Sequence, residues 1–401
     1  MNRPGRECRP RGMWLWLAGL CACSQAATQG QSPPPPPATA AVAPASPMPA
    51  AGAPGARVAA AAPSGPAACD LRRDRLPGLC NVSAMVLLPD CRLLAADDED
   101  RSHRLFAIAP GAAQAPAPVP ASGRLLGGGA VLDDEELDLE GAAWVGDRIY
   151  WIGSHGNNKL EWKKGKGEHS AVKEKPNRHI LFATALSADN DLEPVGTPYR
   201  DLARELVKSI PGLASTYKAV HSNAGGLNVE GLAADGEALL IGLRSPVSDP
   251  DRRAYVFRLE NPAEVLGGKP ARVGGPYLLD LGKRGVRSLE WSPSARAWFI
   301  VAGPVTHLRA DPDAKDGVSQ VAGYGEGTAL YRWESLDKQP VLVKDLADAK
   351  GLQAEGLIAT PAGLFVTSDD DEQKRGGKKK CENLPADDPD RYTRSLWIEG
   401  P

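Results

Sequence analysis

Four glutamates recur at one place in a repeated phrase, and their type and spacing make them the residues best suited to chemistry. Glu140 lies in Asp138-Leu139-Glu140-Gly141-Ala142 and Glu230 in Asn228-Val229-Glu230-Gly231-Leu232. Glu290 lies in Arg287-Ser288-Leu289-Glu290-Trp291 and Glu355 in Gln353-Ala354-Glu355-Gly356-Leu357, while a fifth copy, Asn81-Val82-Ser83-Ala84-Met85, has Ser83 at the marked place. Carboxylates gathered in a narrow space raise one another's pKa and need a counter-charge. A hard cation such as Ca²⁺ or Mg²⁺ supplies one through oxygen ligands, and Arg244 and Arg287 are the chain's own alternative. A structural reading competes, in which each Glu accepts backbone N–H bonds from the next repeat and pins neighbours together.

The position fourteen residues after each marked residue varies: Asp97, Ser154, Arg244, Pro304 and Asp369. Variation at an equivalent place is what a ligand site built on a repetitive scaffold shows. Ser154, Asn228, Arg244 and Arg287 are therefore the expected ligand-binding residues, and His155 and Asp369 the candidate catalytic ones. His155 has the type of a general base or metal ligand, although a loop His among turn residues is an ordinary finding. Ser154 is followed by no features of a nucleophile elbow, so a Ser-His-Asp triad is not expected. The acidic runs Asp97-Asp98-Glu99-Asp100 and Asp369-Asp370-Asp371 would be adjacent if the chain closed on itself, and could form a Ca²⁺ site or stay solvated. Two basic runs, Lys163, Lys164 and Lys166 and Lys374, Arg375, Lys378, Lys379 and Lys380, could meet phosphate headgroups or remain solvated loops.

The elements that position these residues follow from the same repeat. Ten residues after each marked position begins a second apolar stretch: Leu93, Tyr150, Leu240, Ile300 and Phe365. Third stretches follow at 104–108, 179–183, 254–259, 329–333 and 394–398, and outer ones at 198–202, 276–281 and 340–346. Four strands per unit, repeated five times, predict an all-β propeller of five blades, with room for a degenerate sixth. The marked residues are 57, 90, 60 and 65 apart, longer than compact propeller repeats, and the excess falls in loops. Apolar spacing over 202–207 predicts a short helical insertion near 202–210.

The ends read differently. Arg3, Arg6, Arg9 and Arg11 precede the apolar run 14–20, as in an export signal over 1–22. Leu20-Cys21-Ala22-Cys23 fits a lipobox with Cys23 as the lipidated residue, against the alternative of ordinary signal cleavage. Residues 23–68 are rich in Pro and Ala and read as an extended spacer, leaving 69–401 as the folded domain. No other stretch reaches the ~20 apolar residues of a membrane span. A lipid-anchored envelope protein follows, on the periplasmic side and with the outer membrane favoured. The full chain carries −3, and loss of 1–22, with four Arg and Glu7, takes this to −6. That balance gives no case for a nucleic-acid partner.

Of seven Cys, Cys69, Cys80, Cys91 and Cys381 remain beyond the signal and anchor. An even number in an exported chain suggests two disulfides, with three connectivities open. At least one bridge must join the two ends of the domain if all four pair. A Zn site is the competing reading, and no CxxC spacing supports it.

The combination of Asp138–Trp144 with Tyr150–Gly156, Gly226–Ala233 with Leu239–Pro246, and Asp280–Gly282 with Gly285–Glu290 resembles the bacterial DUF3616 family over about residues 80–400. The Glu-Gly-Leu phrase is also distantly similar to phytase-like esterase and lactonase propellers, a resemblance that implies acidic residues binding a divalent metal at the axis. Two functions stand against each other: a ligand-binding or interaction propeller on the envelope, with an unidentified small-molecule or protein ligand, and a metal-dependent hydrolase of phosphoesters, esters or lactones with its site at the channel mouth.

Overall fold

The computed structural model describes residues 69–97, 103–108, 117–119, 137–157, 174–187, 191–210, 226–310, 318–346, 351–375, 377 and 379–400. The expected signal, Cys23, the spacer, the Lys163–Lys166 run, Asp98–Asp100 and Lys378 lie outside them. Five four-stranded antiparallel sheets account for most of the described chain. Strand β1 (Arg75–Pro77) comes first, and the first blade follows with β2 (Ala84–Leu87), β3 (Arg92–Ala96), β4 (His103–Ala107) and β5 (Ala117–Val119). The second has β6 (Leu139–Val145), β7 (Arg148–Gly153), β8 (Leu181–Leu186) and β9 (Leu192–Tyr199), then helix α1 (Leu202–Val207). The third has β10 (Asn228–Asp235), β11 (Ala238–Val247), β12 (Ala254–Leu259), helix α2 (Pro262–Leu266) and β13 (Val273–Leu279).

The fourth blade consists of β14 (Gly285–Ser292), β15 (Ala297–Gly303), β18 (Ala329–Trp333) and β19 (Val341–Asp345), interrupted by a hairpin of β16 (Val305–Ala310) and β17 (Val318–Tyr324). The fifth has β20 (Ala354–Thr360), β21 (Gly363–Ser368) and β24 (Tyr392–Glu399), with the small hairpin β22 (Lys374–Arg375) and β23 (Lys379–Lys380) between the last two. Its outer strand is β1, which pairs with β24 through Leu76 opposite Thr393. The fold is thus the expected five-bladed propeller. What room there is for a degenerate sixth blade is the two-stranded sheet of β16 and β17, set inside the fourth repeat.

The inner strands form a closed circuit in which β2 lies beside β6 and β20, β6 beside β10, β10 beside β14, and β14 beside β20. Every junction between blades carries its own apolar layer. Tyr150 and Ile152 of the second blade meet Leu232, Ile241 and Phe257 of the third, with Leu202 and Leu206 of α1 added. Equivalent layers join the first blade to the second, the third to the fourth, the fourth to the fifth, and the fifth back to the first. At roughly 1.5–3 kcal/mol per large buried side chain, each layer outweighs any single ion pair at the centre. These layers are the main hold on the ring.

Two disulfides complete the fold: Cys69–Cys91 at the first blade and Cys80–Cys381, which spans 301 positions and ties the two ends together. Second strands return to the end of the ring where the marked residues lie. The chain therefore leaves β7, β15 and β21 on that face, at Ser154, Pro304 and Asp369. On the opposite face the first and second strands are joined by short turns, such as Gly146-Asp147 and Gly236-Glu237, with Gly146 and Gly236 at positive φ. No helix among the described residues is long and apolar enough to cross a membrane.

Candidate functional site

Each inner strand of the second to fifth blades has an irregularity near its start, where one residue, or two in the last of them, is left out of the ladder. In β6 the break falls between Leu139 and Gly141, in β10 between Val229 and Gly231, and in β20 between Ala354 and Leu357. Glu140, Glu230 and Glu355 are the residues turned out of register. The following glycine is required by the neighbouring blade: a Cβ on Gly141 would lie 2.7 Å from Leu232 Cβ, and one on Gly356 2.4 Å from the Val82 carbonyl oxygen. The Glu-Gly pair is one device, a bulge that aims a carboxylate inward and a bare backbone that lets the next blade close.

In β14 the break lies between Val286 and Ser288, which leaves Arg287 out of register. Glu290, expected in the ring of carboxylates, is therefore not in it, and Arg287 holds the equivalent place. The reason is the turn. Ser292 pairs with Ala297, so four residues (293–296) connect the strands where the second and third blades use two. The ungapped repeat slips by three residues here. With the marked position three residues earlier and the turn two residues longer, the variable position moves by one, from Pro304 to Gly303, where a Cβ would sit 2.5 Å from Arg287 Cδ. Glu290 is partly buried on the strand, and the backbone of Ala359 in the fifth blade hydrogen-bonds to it. Burial pushes its carboxyl up to about 8, against the lowering effect of that bond. Blade-to-blade pinning, weighed for all four glutamates, describes this one.

Glu140, Glu230 and Glu355 each offer a carboxylate oxygen within 4.8 Å of the others. Their exposures are 7%, 2% and 3%, and Arg287 among them is 5% exposed. Arg287 donates through Nη2 to Glu355 Oε1, and its Nε lies 3.4 Å from Glu230 Oε2. Arg244 Nη1 and Asn228 Nδ2 both donate to Glu230 Oε1 at 2.8 Å. Asp369 is the partly exposed edge of the group, with Oδ2 at 4.0 Å from Arg287 Nη2. Oε2 of Glu140, of Glu230 and of Glu355 is buried without a hydrogen-bond partner.

The electrostatics follow from that count. Glu140, Glu230, Glu355 and Asp369 oppose Arg244 and Arg287, an excess of two negative charges if all are ionised. Burial, then Glu230, Asp138 and Glu355, hold the Glu140 carboxyl well above the usual range, with Arg287 pulling the other way. Burial pushes Glu355 up to about 7, Arg287 lowers it, and Asp369 and Glu230 raise it. Burial alone would lower Arg287, but Glu355, Glu230 and Asp369 keep it firmly protonated. Two excess charges and three oxygens without a hydrogen bond among the described residues, of which Glu230 Oε2 has only the longer Arg287 Nε contact, fit one divalent cation. Without it, protons must take up part of the charge.

Among the described residues, Ser154 and His155 share none of the side-chain contacts of this cluster, although the Ser154 backbone bonds to Asp138 and Val229 beside it. Ser154 Oγ accepts from the Gly156 N–H at 3.1 Å, and its carbonyl accepts from the Val229 N–H at 2.8 Å. Those bonds shape a turn and join two blades. His155 is 1% exposed, packs its ring against His179, and is held well below the usual imidazole range by burial and by that neighbour. Its ring meets His179 rather than the carboxylates, so it is not placed as their general base.

Of the two readings of the acidic runs, a Ca²⁺ site or solvated loops, neither describes Asp370. The runs do meet, since the Asp370 N–H donates to the Cys80 carbonyl and Asp97 Oδ2 accepts from the Cys80 N–H. Asp370 is fully buried and bound by Arg375 and Arg394 at 2.6 and 2.7 Å. Burial would raise its carboxyl, but the Arg394 hydrogen bonds hold it below the usual range. Arg375, expected in a basic loop, also stacks over Tyr392 with 3.7 Å to the ring centroid. Lys380 pairs with Glu372 and Glu382. Gly303 is the position that sequence reasoning missed; a two-residue gap at the Pro-containing turn 293–296 would have found it, together with the ring position of Arg287.

Solved structures resemble the chain distantly. A PQQ-bound aldose sugar dehydrogenase from Streptomyces coelicolor is 14% identical, with 82% of this chain and 98% of that one covered and a TM-score of 0.39. A putative glucose dehydrogenase from Thermus thermophilus is 12% identical over 80% of this chain and 98% of that one, with a TM-score of 0.32. A putative gluconolactonase is 11% identical over 79% of this chain and 73% of that one, with a TM-score of 0.31. At these values the likenesses carry no argument about the site. No curated protein matches in sequence. The family model described as "Protein of unknown function (DUF3616)" matches residues 81–314, more than half of the chain, and the protein belongs to that family.

Proposed function

We propose that Glu140, Glu230 and Glu355 hold a hard divalent cation, Ca²⁺ or Mg²⁺, at the channel mouth, and that the protein is a metal-dependent hydrolase of phosphoesters, esters or lactones. One observation carries this reading: three buried carboxylates bring oxygens within 4.8 Å while one oxygen of each has no hydrogen-bond partner among the described residues. Leaving such groups unsatisfied costs ~1–3 kcal/mol each, more when charged, and a cation removes that cost together with the excess charge. All-oxygen ligation suits Ca²⁺ or Mg²⁺ over softer ions. When bound, such an ion polarises an ester or phosphoryl oxygen and acidifies water.

The remaining roles belong to the chain. Arg287 fixes Glu230 and Glu355, and Arg244 and Asn228 fix Glu230 from the other side. Asp369 and Arg244 have side chains 27% and 24% exposed, so they are the members of the group that incoming molecules meet first. Asp369 is the carboxylate suited to take a proton from water, and Arg244 the group suited to steady an anionic oxygen. The long segments leaving from this face are where substrate contacts would be built. The N-terminal residues support a further proposal, that the domain is carried on a lipid-anchored spacer at the cell envelope. The competing reading, ligand binding without catalysis, draws on Arg287, which already supplies one internal counter-charge.

The test is metal analysis of purified protein, then melting in Ca²⁺, Mg²⁺ or EDTA, then an ester, lactone and phosphoester panel. One equivalent of divalent ion, a higher melting temperature with it, and metal-dependent turnover lost in Asp369→Asn are expected. Metal binding without turnover would leave the ligand-binding reading standing. No effect of EDTA on melting or turnover would end the metal reading.

A further inference from the structure

His155 is a buried imidazole in a place that makes little sense for packing alone. Its exposure is 1%, and neither ring nitrogen has a hydrogen-bond partner. A neutral imidazole always carries one donor and one acceptor, so two hydrogen-bonding capacities are left unmet. Its backbone is at φ 54°, a left-handed conformation that costs a side-chain-bearing residue energy and persists only when its surroundings enforce it. The enforcement is visible. The His155 N–H donates to the Arg178 carbonyl at 3.1 Å, the Ser154 N–H to the Asp138 carbonyl at 2.9 Å, and the Gly153 N–H to the Ile180 carbonyl at 3.0 Å. These bonds strap the start of the second blade's long connection to its end and drive the ring inward.

His179 arrives from the other end of the same connection. The two ring centroids are 5.7 Å apart and the planes meet at 89°. With metal–nitrogen bonds of about 2.0–2.1 Å, two imidazoles sharing one ion have centroids roughly 5–6 Å apart. His179 is partly exposed and its Nε2 is a buried atom, so an ion has a path in past that ring. We propose that His155 and His179 form a second metal site, separate from the glutamate cluster, for a late first-row dication such as Zn²⁺ or Cu²⁺. Imidazole nitrogen favours these ions, as oxygen favours Ca²⁺ and Mg²⁺. Among the described residues no group of three His, Cys, Asp or Glu gathers there, so water completes the coordination and the site is an exchangeable one.

The experiment titrates ZnCl₂ into the untagged full chain by calorimetry with Ca²⁺ in excess, and records Cu²⁺ electron paramagnetic resonance in parallel. One equivalent should bind, with nitrogen couplings from two imidazoles. His179→Ala should weaken binding at least tenfold and leave no more than one nitrogen, and His155→Asn, whose side chain tolerates positive φ, should do the same. Should His155→Asn fail to fold, His179→Ala decides, since its ring is partly exposed. Glu230→Gln should bind as the parent does. Unchanged affinity in His179→Ala, oxygen-only couplings, loss of binding in Glu230→Gln, or no binding at millimolar Zn²⁺ would each overturn the assignment.

Discussion

Replacing Arg287 by Met tests the charge arrangement at the centre of the ring directly. Met keeps an unbranched apolar stem and removes the guanidinium that sits between Glu230 and Glu355. Removing one partner of a buried pair typically costs about 3–5 kcal/mol, because the charge left behind is uncompensated. Unfolding entropy near ~2.1 cal/mol/K per residue over a domain of about 330 residues gives roughly 0.7 kcal/mol/K. The variant should therefore melt about 4–7 °C lower in metal-free buffer at pH 8. The loss must depend on pH. Glu355 titrates near 7 in the folded protein, above its unfolded value, and Glu140 is also raised. Both raised groups favour the folded state at low pH and lose that contribution as pH rises through their folded pKa. Without Arg287 those values rise further, so the gap to the parent should shrink at pH 5 and widen at pH 8. Added Ca²⁺ should narrow it at pH 8, and Arg287→Lys should fall between parent and Met. The assay is calorimetric melting of the three proteins at both pH values. A Met variant within 1–2 °C of the parent at pH 8, or a gap equal at pH 5 and pH 8, would refute the reasoning.

Glu290→Gln should behave oppositely. The Glu290 carboxyl is raised to about 8 in the folded state, so its stabilising protonation is complete below the unfolded pKa and is lost as pH rises through 8. The Gln variant should equal the parent near pH 4 and exceed it above pH 8 by at most about 5 kcal/mol at 1.36 kcal/mol per unit, less as water reaches the partly exposed group. Equal melting at pH 9 would show that the group is not desolvated. Ca²⁺ affinity should fall at least tenfold in Glu355→Gln and stay unchanged in Glu290→Gln, measured by calorimetry. Loop-closure entropy assigns about 5–6 kcal/mol to Cys80–Cys381 and about 3 kcal/mol to Cys69–Cys91, from separations of 301 and 22. Paired Cys→Ala variants should keep that order in urea midpoints, and a reversed order would mean that the seam is held by packing instead.

Much of the ring was readable because its parts are local. Glu-Gly phrases followed ten residues later by a second apolar run describe a bulged hairpin, and all three such copies sit where that pattern puts them, whereas the fourth glutamate, Glu290, is followed by Trp291 and does not. The last Cys far from three early ones implied a seam, and Cys80–Cys381 is that seam. What failed did so for physical reasons. A four-residue turn at 293–296 changes the strand offset without changing the apolar pattern, so Glu290 looked equivalent when Arg287 was. Asp370 lay in a run read as a Ca²⁺ site or a solvated loop and is neither, because its partners Arg375 and Arg394 are distributed along a loop and a strand whose meeting depends on tertiary closure. His155 follows Ser154 directly, yet a positive φ sets its ring against His179 instead of the carboxylates. Side-chain direction of that kind has no signature in residue spacing.

The fifth blade takes its outer strand from the beginning of the domain and its other three from the end. Synthesis runs from one end to the other, and this imposes a waiting time. Glu140 leaves the ribosome early, but Glu355 and Asp369 arrive with the last blade, and β24 ends at Glu399. At about 5–20 residues per second, Glu140 waits roughly 10 to 50 s before its companions exist. Until then β1 has no strand to pair with, Cys80 has no partner, and Arg287 has one of its two glutamates. A chain cut short before Glu355 lacks both the Cys80–Cys381 seam and a balanced centre, and one cut before Tyr392 still lacks the strand that pairs with β1. Arrival of the last blade is thus the step that brings the central carboxylates and their counter-charge together.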